Sequence, residues 1–191
     1  MRISKKQGAL KLTETNISGL VVIEPKVFED SRGFFFEPYN KLKFEKFFGE
    51  IDFVQDNESK SRKGVLRGFH FQKPPFDQAK LVRCIEGAVL DIALDLRKKS
   101  KTYGKYHKVI LSGDNKKQFF ITRGFAHAFL VLSETALFSY KVDNIYAPKF
   151  DSGVIWNDPS LSIDWGFKES KLIISEKDKN LNFISDINSP F

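Results

Sequence analysis

Residues 88–96 read AVLDIALDL, and this stretch decides the fold class. Side chains of a β-strand alternate between two faces, so Asp91 and Asp95 share one face and aliphatic side chains occupy the other. Such a strand belongs to a sheet that is covered on its apolar side. The side that carries the carboxylates then contacts solvent or lines the cavity of a barrel.

Short runs of the same kind continue on both sides of this stretch, from about residue 20 to residue 167. Turn-forming pairs such as Glu86-Gly87 separate them, and further strands are predicted at residues 51–54 and 154–156. One helix is predicted near residues 40–48, because Asn40 can cap its start and Gly49 can close it. Many short strands at this spacing predict an all-β sandwich or barrel.

The length of 191 residues and the 41% of hydrophobic residues, 20 of them Phe, predict a single domain with a substantial core. We divide it into an N-terminal extension at residues 1–19, a barrel at residues 20–167 and a C-terminal segment at residues 168–191. Linkers, repeats and low-complexity tracts are absent from the sequence.

The formal net charge of +7 comes from scattered lysines and arginines. Without a basic stripe, a nucleic-acid partner is not expected, whereas a phosphate-bearing small substrate suits this charge. No apolar run approaches a membrane span or a signal core, so no membrane partner is expected. Cys84 is the sole cysteine and stands in an apolar run, so a disulfide framework is excluded. These features predict a cytoplasmic protein.

Histidine is scarce, and its spacing argues against a metal site. His70, His107 and His127 stand alone, whereas metal-binding barrels of this class bring two His within three residues and add a carboxylate. Acid–base chemistry without a cofactor is therefore the chemistry that we expect in the barrel.

Arg67 and His70 lie three positions apart in a predicted strand, with Gly68 between them. A partly buried guanidinium needs an anion, which a phosphate would supply. From these residues alone, a functional and a structural interpretation of His70 stay open. The same holds for Lys80, which could extend from a strand end, and for Tyr140, which could be a core residue.

Taken in order, the motifs resemble the dTDP-4-dehydrorhamnose 3,5-epimerase family. The matching segments are EPKVF at 24–28, DSRGFFFE at 30–37, FVQDN at 53–57, VLRGFHFQ at 65–72, QAKLV at 78–82, residues 91–97 and 124–129, YK at 140–141, WNDP at 156–159 and SEKD at 175–178. The likeness covers about residues 20–180, nearly the whole chain.

The resemblance implies a cupin-like double-stranded β-helix, or jelly-roll, barrel with a few short peripheral helices. It also implies a homodimer with exchanged N-terminal strands and no metal or organic cofactor. The implied activity is that of an isomerase acting on a nucleotide-diphosphate-linked 4-keto-6-deoxy sugar.

The resemblance also implies the catalytic residues. His70 corresponds to the general base and Asp178 to its partner, while Tyr140 corresponds to the acid on the opposite face of the sugar. Lys80 corresponds to the residue that steadies the C4 oxygen as an enolate forms. A ketone at C4 acidifies the hydrogens on C3 and C5, so an imidazole base suits the reaction.

The substrate-binding residues follow in the same way. Arg67 resembles a diphosphate contact and Tyr146 the ring that stacks on the base. The remaining implied contacts are Arg32, Glu37, Gln55, Asp56, Asn57, His127, Asp151 and Lys177, some of them reaching over from the partner.

Several positions depart from the family pattern: Glu58, Thr122, Arg123, Ala128, Ile145 and Asp151. The leading substrate is dTDP-4-dehydro-6-deoxy-D-glucose, converted to dTDP-4-dehydro-L-rhamnose. One alternative is an epimerase that acts at C3 alone, or on a GDP-linked 4-keto-6-deoxy-heptose. Another is a nucleotide-sugar-binding barrel without catalysis, and a third is a metal-dependent enzyme of the same fold.

Overall fold

The computed structural model describes residues 4–7, by backbone only, and residues 10–191. The strands are β1 (Ser4–Gln7), β2 (Leu10–Glu14), β3 (Leu20–Pro25), β4 (Phe28–Asp30), β5 (Gly33–Phe35), β6 (Gln55–Arg62), β7 (Leu66–Gln72), β8 (Lys80–Glu86), β9 (Ala88–Asp95), β10 (Tyr106–Ser112), β11 (Gln118–Ile121), β12 (Phe125–Val131), β13 (Thr135–Val142) and β14 (Asp151–Gly153). The α-helices are α1 (Lys41–Phe48) and α2 (Glu176–Lys179), and 3₁₀ turns lie at Pro148–Phe150, Glu169–Lys171 and Ile184–Asp186.

Two antiparallel sheets face each other. The seven-stranded sheet has the order β1-β2-β3-β11-β8-β13-β6, and the five-stranded sheet has the order β10-β9-β12-β7-β14. Within them, β6 to β13 form two four-stranded halves, β6-β13-β8-β11 and β7-β12-β9-β10, which is the strand order of a jelly roll. The predicted all-β barrel with a few short peripheral helices is therefore confirmed.

The space between the sheets holds an apolar core at one end and polar side chains at the other. Phe119 and Phe138 of the seven-stranded sheet pack there with Val89 and Phe129 of the five-stranded sheet. Asp91 follows Val89 on the same face of β9 and is fully buried. The carboxylate face of residues 88–96 thus lines the barrel interior, and the alternative of solvent contact does not apply.

The outer faces of both sheets are covered. Helix α1 lies over the seven-stranded sheet, where Phe44 packs against Phe120. Asn40 caps the helix by accepting a hydrogen bond from the Lys43 backbone N–H, and Gly49 ends it at φ 78°, as the sequence predicts. The C-terminal residues cover the five-stranded sheet, where Trp156, Leu161 and Trp165 join the apolar face of β9.

Two of the predicted strands are wrong. Residues 51–54 form no strand, because Ile51 and Phe53 pack as a loop against the cluster around α1. The strand begins directly afterwards with β6, whose sequence QDNESKSR has no apolar alternation. At residues 154–156 the structure has a single bridge from Val154 to Asn182, and the strand precedes it as β14.

The hairpin β4–β5 forms a separate two-stranded sheet. Phe28, Phe34 and Phe35 in this hairpin are 51%, 57% and 71% exposed. The backbone of β1 pairs with β2, and β2 pairs with β3, so both strands extend the seven-stranded sheet at one edge. Helices long and apolar enough to cross a membrane do not occur among the described residues.

The covered face of β9 gives a prediction about stability. Ile92 on β9 is fully buried under the C-terminal residues, whereas Ile110 on the neighbouring strand β10 is 54% exposed. Replacing each with Ala removes the same atoms, but only Ile92→Ala leaves a cavity. We expect Ile92→Ala to lower the free energy of unfolding by about 2–5 kcal/mol, and Ile110→Ala by about 1 kcal/mol or less. Denaturant unfolding measures both losses of free energy. Equal losses would contradict the burial of Ile92 under the C-terminal residues.

Candidate active site

A cavity of about 300 Å³ opens between the two large sheets. Its walls come from β6, β8 and β13 on one side and from β7, β12 and β14 on the other, with the loop before β14 and helix α2 at the rim. The lining residues are Asn57, Glu58, Ser59, Arg67, His70, Phe71, Gln72, Gln78, Lys80, His127, Phe129, Tyr140, Tyr146, Asp151 and Lys177.

His70 on β7 is paired with a carboxylate from the far end of the chain. Its Nε2 lies 2.8 Å from Oδ1 of Asp178, which is buried on α2. The other oxygen of Asp178 accepts a hydrogen bond of 3.1 Å from the Gly68 backbone N–H. Ser175 caps α2 by accepting from the Asp178 backbone N–H at 3.1 Å. Asp178 is therefore fixed by contacts to both its carboxylate and its backbone.

The charge of Asp178 sets which nitrogen of the His70 ring faces it as a hydrogen-bond donor. Burial raises the pKa of Asp178, but the hydrogen bonds from His70, Gly68 and Ser175 outweigh it, so the pKa lies below its usual value. An ionised carboxylate only accepts hydrogen bonds, so the neutral His70 ring donates from Nε2. Nδ1 then carries the free lone pair, which is the state that a general base requires.

The opposite wall of the cavity carries Tyr140 on β13 and Lys80 on β8. The Lys80 Nζ lies 5.9 Å from the centroid of the Tyr140 ring. Burial raises the pKa of Tyr140, so the phenol keeps its proton at neutral pH. Lys80 is 8% exposed, and burial lowers its pKa to about 8, with Asp151 and Asp91 acting in the opposite direction. An acid and a cation thus face the imidazole across the cavity.

His127 on β12 is held by a carboxylate that the sequence prediction left out of the site. Its Nε2 lies 3.0 and 2.9 Å from the two oxygens of Asp91. Both residues are buried, at 7% and 0% exposure. The signal for Asp91 was present in the sequence, as a carboxylate on the interior face of β9, but only the barrel geometry brings it to His127.

The rim of the cavity is a network around the loop before β14. Tyr146 donates its hydroxyl to Asp151 at 3.1 Å, and Lys177 also binds Asp151. The Tyr146 backbone N–H donates to Gln55 Oε1 at 2.9 Å, and the Gln55 amide donates to Asn57 at 2.9 Å. Residues that the sequence places apart are therefore connected at one edge of the site.

Gln72 and Gln78 were missed by the sequence prediction and hold this loop in place. Gln72 donates to the Ile145 carbonyl at 3.0 Å and accepts from the Ala147 N–H at 2.6 Å. Gln78 donates to the Asn144 carbonyl at 2.8 Å. Glutamines at strand ends give no distinctive signal in a single sequence.

Arg67 lies on β7, in the same wall as His70. Its guanidinium donates to the Ser61 hydroxyl at 3.2 Å from Nη2 and 3.4 Å from Nε. Because the hydroxyl of Ser61 is neutral, it does not offset the positive charge of Arg67, and this charge is available to an anion in the cavity.

Five of the predicted site residues do not line this cavity. Asp178 and Gln55 contact residues that do, and the other three lie apart from it. Arg32 forms an ion pair with Asp30 on the exposed hairpin, and Glu37 pairs with Lys43 at the start of α1. Asp56 pairs with Lys141 on the outer face of the seven-stranded sheet. The single chain thus brings the four predicted catalytic residues together and leaves these three predicted contacts apart from them.

Among the described residues, no three or more His, Cys, Asp or Glu side chains form a group that could hold a metal ion.

A family model described as dTDP-4-dehydrorhamnose 3,5-epimerase matches residues 14–186. The chain belongs to this family. It is 48% identical over 179 residues to the dTDP-4-dehydrorhamnose 3,5-epimerase of Escherichia coli K12, with 93% of this chain and 96% of the relative covered. The epimerase described here is accordingly an isomerase.

Solved structures agree with this assignment. The crystal structure of dTDP-4-dehydrorhamnose 3,5-epimerase from Elizabethkingia anophelis superimposes with a TM-score of 0.90 at 53% identity and covers 94% of this chain and 99% of that chain. A second similar structure, from Legionella pneumophila, is a complex with dTDP-4-keto-L-rhamnose. It has a TM-score of 0.90 at 43% identity and covers 94% of this chain and 95% of that chain.

The buried lysine of the epimerase generates a prediction about pH. The ammonium form of Lys80 is the one that can stabilise a negative oxygen, and burial lowers its pKa to about 8, so this form is lost just above neutral pH. The value of kcat/KM, which reports the free enzyme, should fall as the pH rises through about 8. Lys80→Met should lose about 10²–10³-fold in kcat/KM together with this limb.

Lys171 provides the matched control, because it is an exposed lysine outside the cavity. Lys171→Met should keep both the rate and the limb. A wild-type profile that stays flat from pH 7 to pH 10 would reject the requirement for a charged Lys80.

Proposed function

We propose that this protein converts dTDP-4-dehydro-6-deoxy-D-glucose to dTDP-4-dehydro-L-rhamnose by inverting C3 and C5. The observation that carries the proposal is the imidazole of His70, oriented by Asp178, in one wall of a cavity whose other wall carries Tyr140 and Lys80. The family description and the names of the similar proteins refer to this reaction.

The first step is removal of a proton from a carbon next to the ketone. Nδ1 of His70 takes the proton, and the electron pair of the broken C–H bond moves to form a carbon–carbon double bond, leaving negative charge on the C4 oxygen. Asp178 stabilises the resulting imidazolium. General-base catalysis of this kind raises the rate by about 10²–10⁴-fold. Lys80 stabilises the oxygen at the moment when it becomes charged.

Inversion follows when the proton returns from the other face. Tyr140 lies on the seven-stranded sheet and His70 on the five-stranded sheet, so a sugar between them has one group on each face. The phenol gives its proton to the carbon as the enolate collapses back to the ketone. Solvent then restores the proton of Tyr140 and removes the one on His70, and the same pair serves each carbon in turn.

We assign the nucleotide diphosphate to the rim. Arg67 provides a cation with no carboxylate partner among the described residues, which suits a phosphate. The ring of Tyr146 is 53% exposed beside Asn57 and Lys177 and can stack on a base. The implied contacts that lie apart from the cavity, Arg32, Glu37 and Asp56, then need a second chain.

We propose a homodimer whose N-terminal strands cross to the partner, with the hairpin β4–β5 as the part that reaches the other cavity. The support is that this hairpin exposes Phe28, Phe34 and Phe35, since large apolar groups that cluster on a surface mark interfaces. Arg32 lies in the same hairpin and pairs only with its neighbour Asp30 among the described residues.

A complementation experiment tests the shared site. Neither His70→Ala nor Arg32→Ala protein should turn over substrate well, but a heterodimer of the two has one cavity with an intact His70 and an intact Arg32. An equal co-expressed mixture should therefore recover about a quarter of the wild-type activity, because half of the dimers are mixed and each has one working site. If Arg32 serves its own chain, mixing restores nothing.

We also propose that the protein works in the cytoplasm. Its single cysteine, Cys84, is a buried free thiol, as expected in a reducing compartment. Cell fractionation tests this location.

Exchange with deuterated solvent tests the function and the two roles together. With dTDP-4-dehydro-6-deoxy-D-glucose in D₂O, the wild type should introduce deuterium at C3 and C5 and yield the L-rhamno product by NMR. His70→Ala should abolish exchange, and Tyr140→Phe should keep measurable exchange while the epimerised product falls, because abstraction precedes the return of the proton.

The outcomes separate the alternatives. Deuterium at C3 alone identifies a C3 epimerase, and turnover of only the GDP-linked 4-keto-6-deoxy-heptose identifies the other substrate. Binding without any exchange identifies a non-catalytic nucleotide-sugar-binding barrel. Wild-type exchange in His70→Ala would remove His70 from its role, and an unchanged product yield in Tyr140→Phe would reject Tyr140 as the donor.

A further inference from the structure

A buried carboxylate lies behind the catalytic cavity and is not used by the reaction steps above. Asp91 projects from the interior face of β9, is fully buried and does not line the cavity. On the neighbouring strand β12, Phe129 pairs with Asp91 and His127 pairs with Ala93, so His127 and Asp91 are diagonal neighbours on one face. The carboxylate is therefore held against the rear of a residue that does face the substrate.

The contact between Asp91 and His127 is well defined. The histidine Nε2 lies nearly equidistant from the two carboxylate oxygens, at 3.0 and 2.9 Å. The ring also packs against Phe138, with 6.1 Å between centroids and an interplanar angle of 18°. The hydrogen bonds therefore hold one edge of the His127 ring, and Phe138 contacts its face.

The charge of Asp91 also acts on Lys80. Burial lowers the pKa of Lys80, and the negative charges of Asp151 and Asp91 oppose that effect. In turn, burial raises the pKa of Asp91, and the charges of His127 and Lys80 oppose that. The two groups that face the sugar ketone, Lys80 and His127, thus share one buried carboxylate.

We propose that Asp91 is a positioning residue of the epimerisation reaction: it holds the ring of His127 in the cavity wall and supplies a carboxylate that acts on Lys80, so that the ammonium meets the C4 oxygen. This inference rests on the proposed function and deepens it. The carboxylate stabilises the protonated form of Lys80 without contacting the substrate. It also offsets the positive charge of Lys80 while the site is empty.

The charge on Lys80 depends on the groups that surround it in the barrel. These are Arg67 and His70 of β7, Asp91 of β9, His127 of β12, Tyr140 of β13 and Asp151 of β14. Asp151 is already bound by Lys177, which offsets its charge. Of the two carboxylates that act on Lys80, Asp91 is the one that forms no ion pair with a lysine or arginine among the described residues.

Asp91→Asn tests the inference, because it removes the charge and keeps the size. The basic limb of kcat/KM should move to lower pH by about one unit, because Lys80 loses an attractive charge. The value of kcat should fall about 10-fold or more, whereas KM should change less than about threefold, because the lost effect is on the charge that develops during reaction.

Asp95 is the matched control. It lies on the same strand and face, is equally buried, and anchors a turn by accepting from Arg97, Ser100 and Thr102. Asp95→Asn should lower stability without moving the limb, when rates are expressed per folded enzyme. A limb in Asp91→Asn at the wild-type position, with a loss of kcat no greater than in Asp95→Asn, would overturn the proposal.

Two further measurements guard against a variant that does not fold. His127→Asn keeps the charge of Asp91, so its limb should stay in place while kcat falls. In the wild type, ¹⁵N NMR of the neutral His127 ring should find the hydrogen on Nε2, and a hydrogen on Nδ1 would overturn the assignment.

A wild type that fails to turn over any of the keto sugars would reject the proposed function, and a wild type that reacts while Asp91→Asn matches it would reject only the role of Asp91.

Discussion

The hydrogen bond between His70 and Asp178 joins residues that are 108 positions apart, and the rest of the site depends on it. It forms only when the C-terminal segment packs over the five-stranded sheet and presents α2 to β7. Trp156, Leu161 and Trp165 supply the apolar contact for that packing, and the parallel bridge from Val65 to Ile173 aligns the segment. The stability of the fold and the state of the base are therefore set by the same contacts.

The jelly roll divides the chemistry between its sheets. The five-stranded sheet carries the base and His127, and the seven-stranded sheet carries Tyr140 and Lys80. In the proposed reaction, a sugar ring between the two sheets meets the proton acceptor on one face and the proton donor on the other. Burial raises the pKa of Tyr140, which keeps the phenol protonated. It also lowers the pKa of Lys80, so that nearby carboxylates affect the charge of this lysine.

The sequence predicts the parts of the fold in which one face of an element is apolar. Strand β9 and helix α1 belong to this class, and their patterns predict both the element and its buried side. Strand β6 does not, because one of its faces lines a polar cavity and the other contacts solvent, so no apolar alternation marks it. Residues 51–54 give the opposite error, since a loop that packs under a helix has the hydrophobic content of a strand.

For the site, the residues alone left His70, Lys80 and Tyr140 open, and the family resemblance assigned their roles. The structure brings these three into one cavity together with Arg67, His127, Tyr146, Asp151 and Lys177. Asp91, Gln72 and Gln78 could not be found in this way, because each acts through a neighbour that only the folded chain supplies. Arg32, Glu37 and Asp56 lie apart from the cavity of a single chain, and only the family resemblance implied that some contacts reach over from a partner.

Proton exchange in Asp178→Asn tests the central claim most directly, since it leaves His70 in place and removes only the charge that orients it. Asp186→Asn, an exposed carboxylate in the same segment, is the control. The account predicts that deuterium incorporation at C3 and C5 slows by about 10²–10⁴-fold in Asp178→Asn, with dTDP binding retained and the control unchanged. Exchange near the wild-type rate in folded Asp178→Asn protein would contradict it.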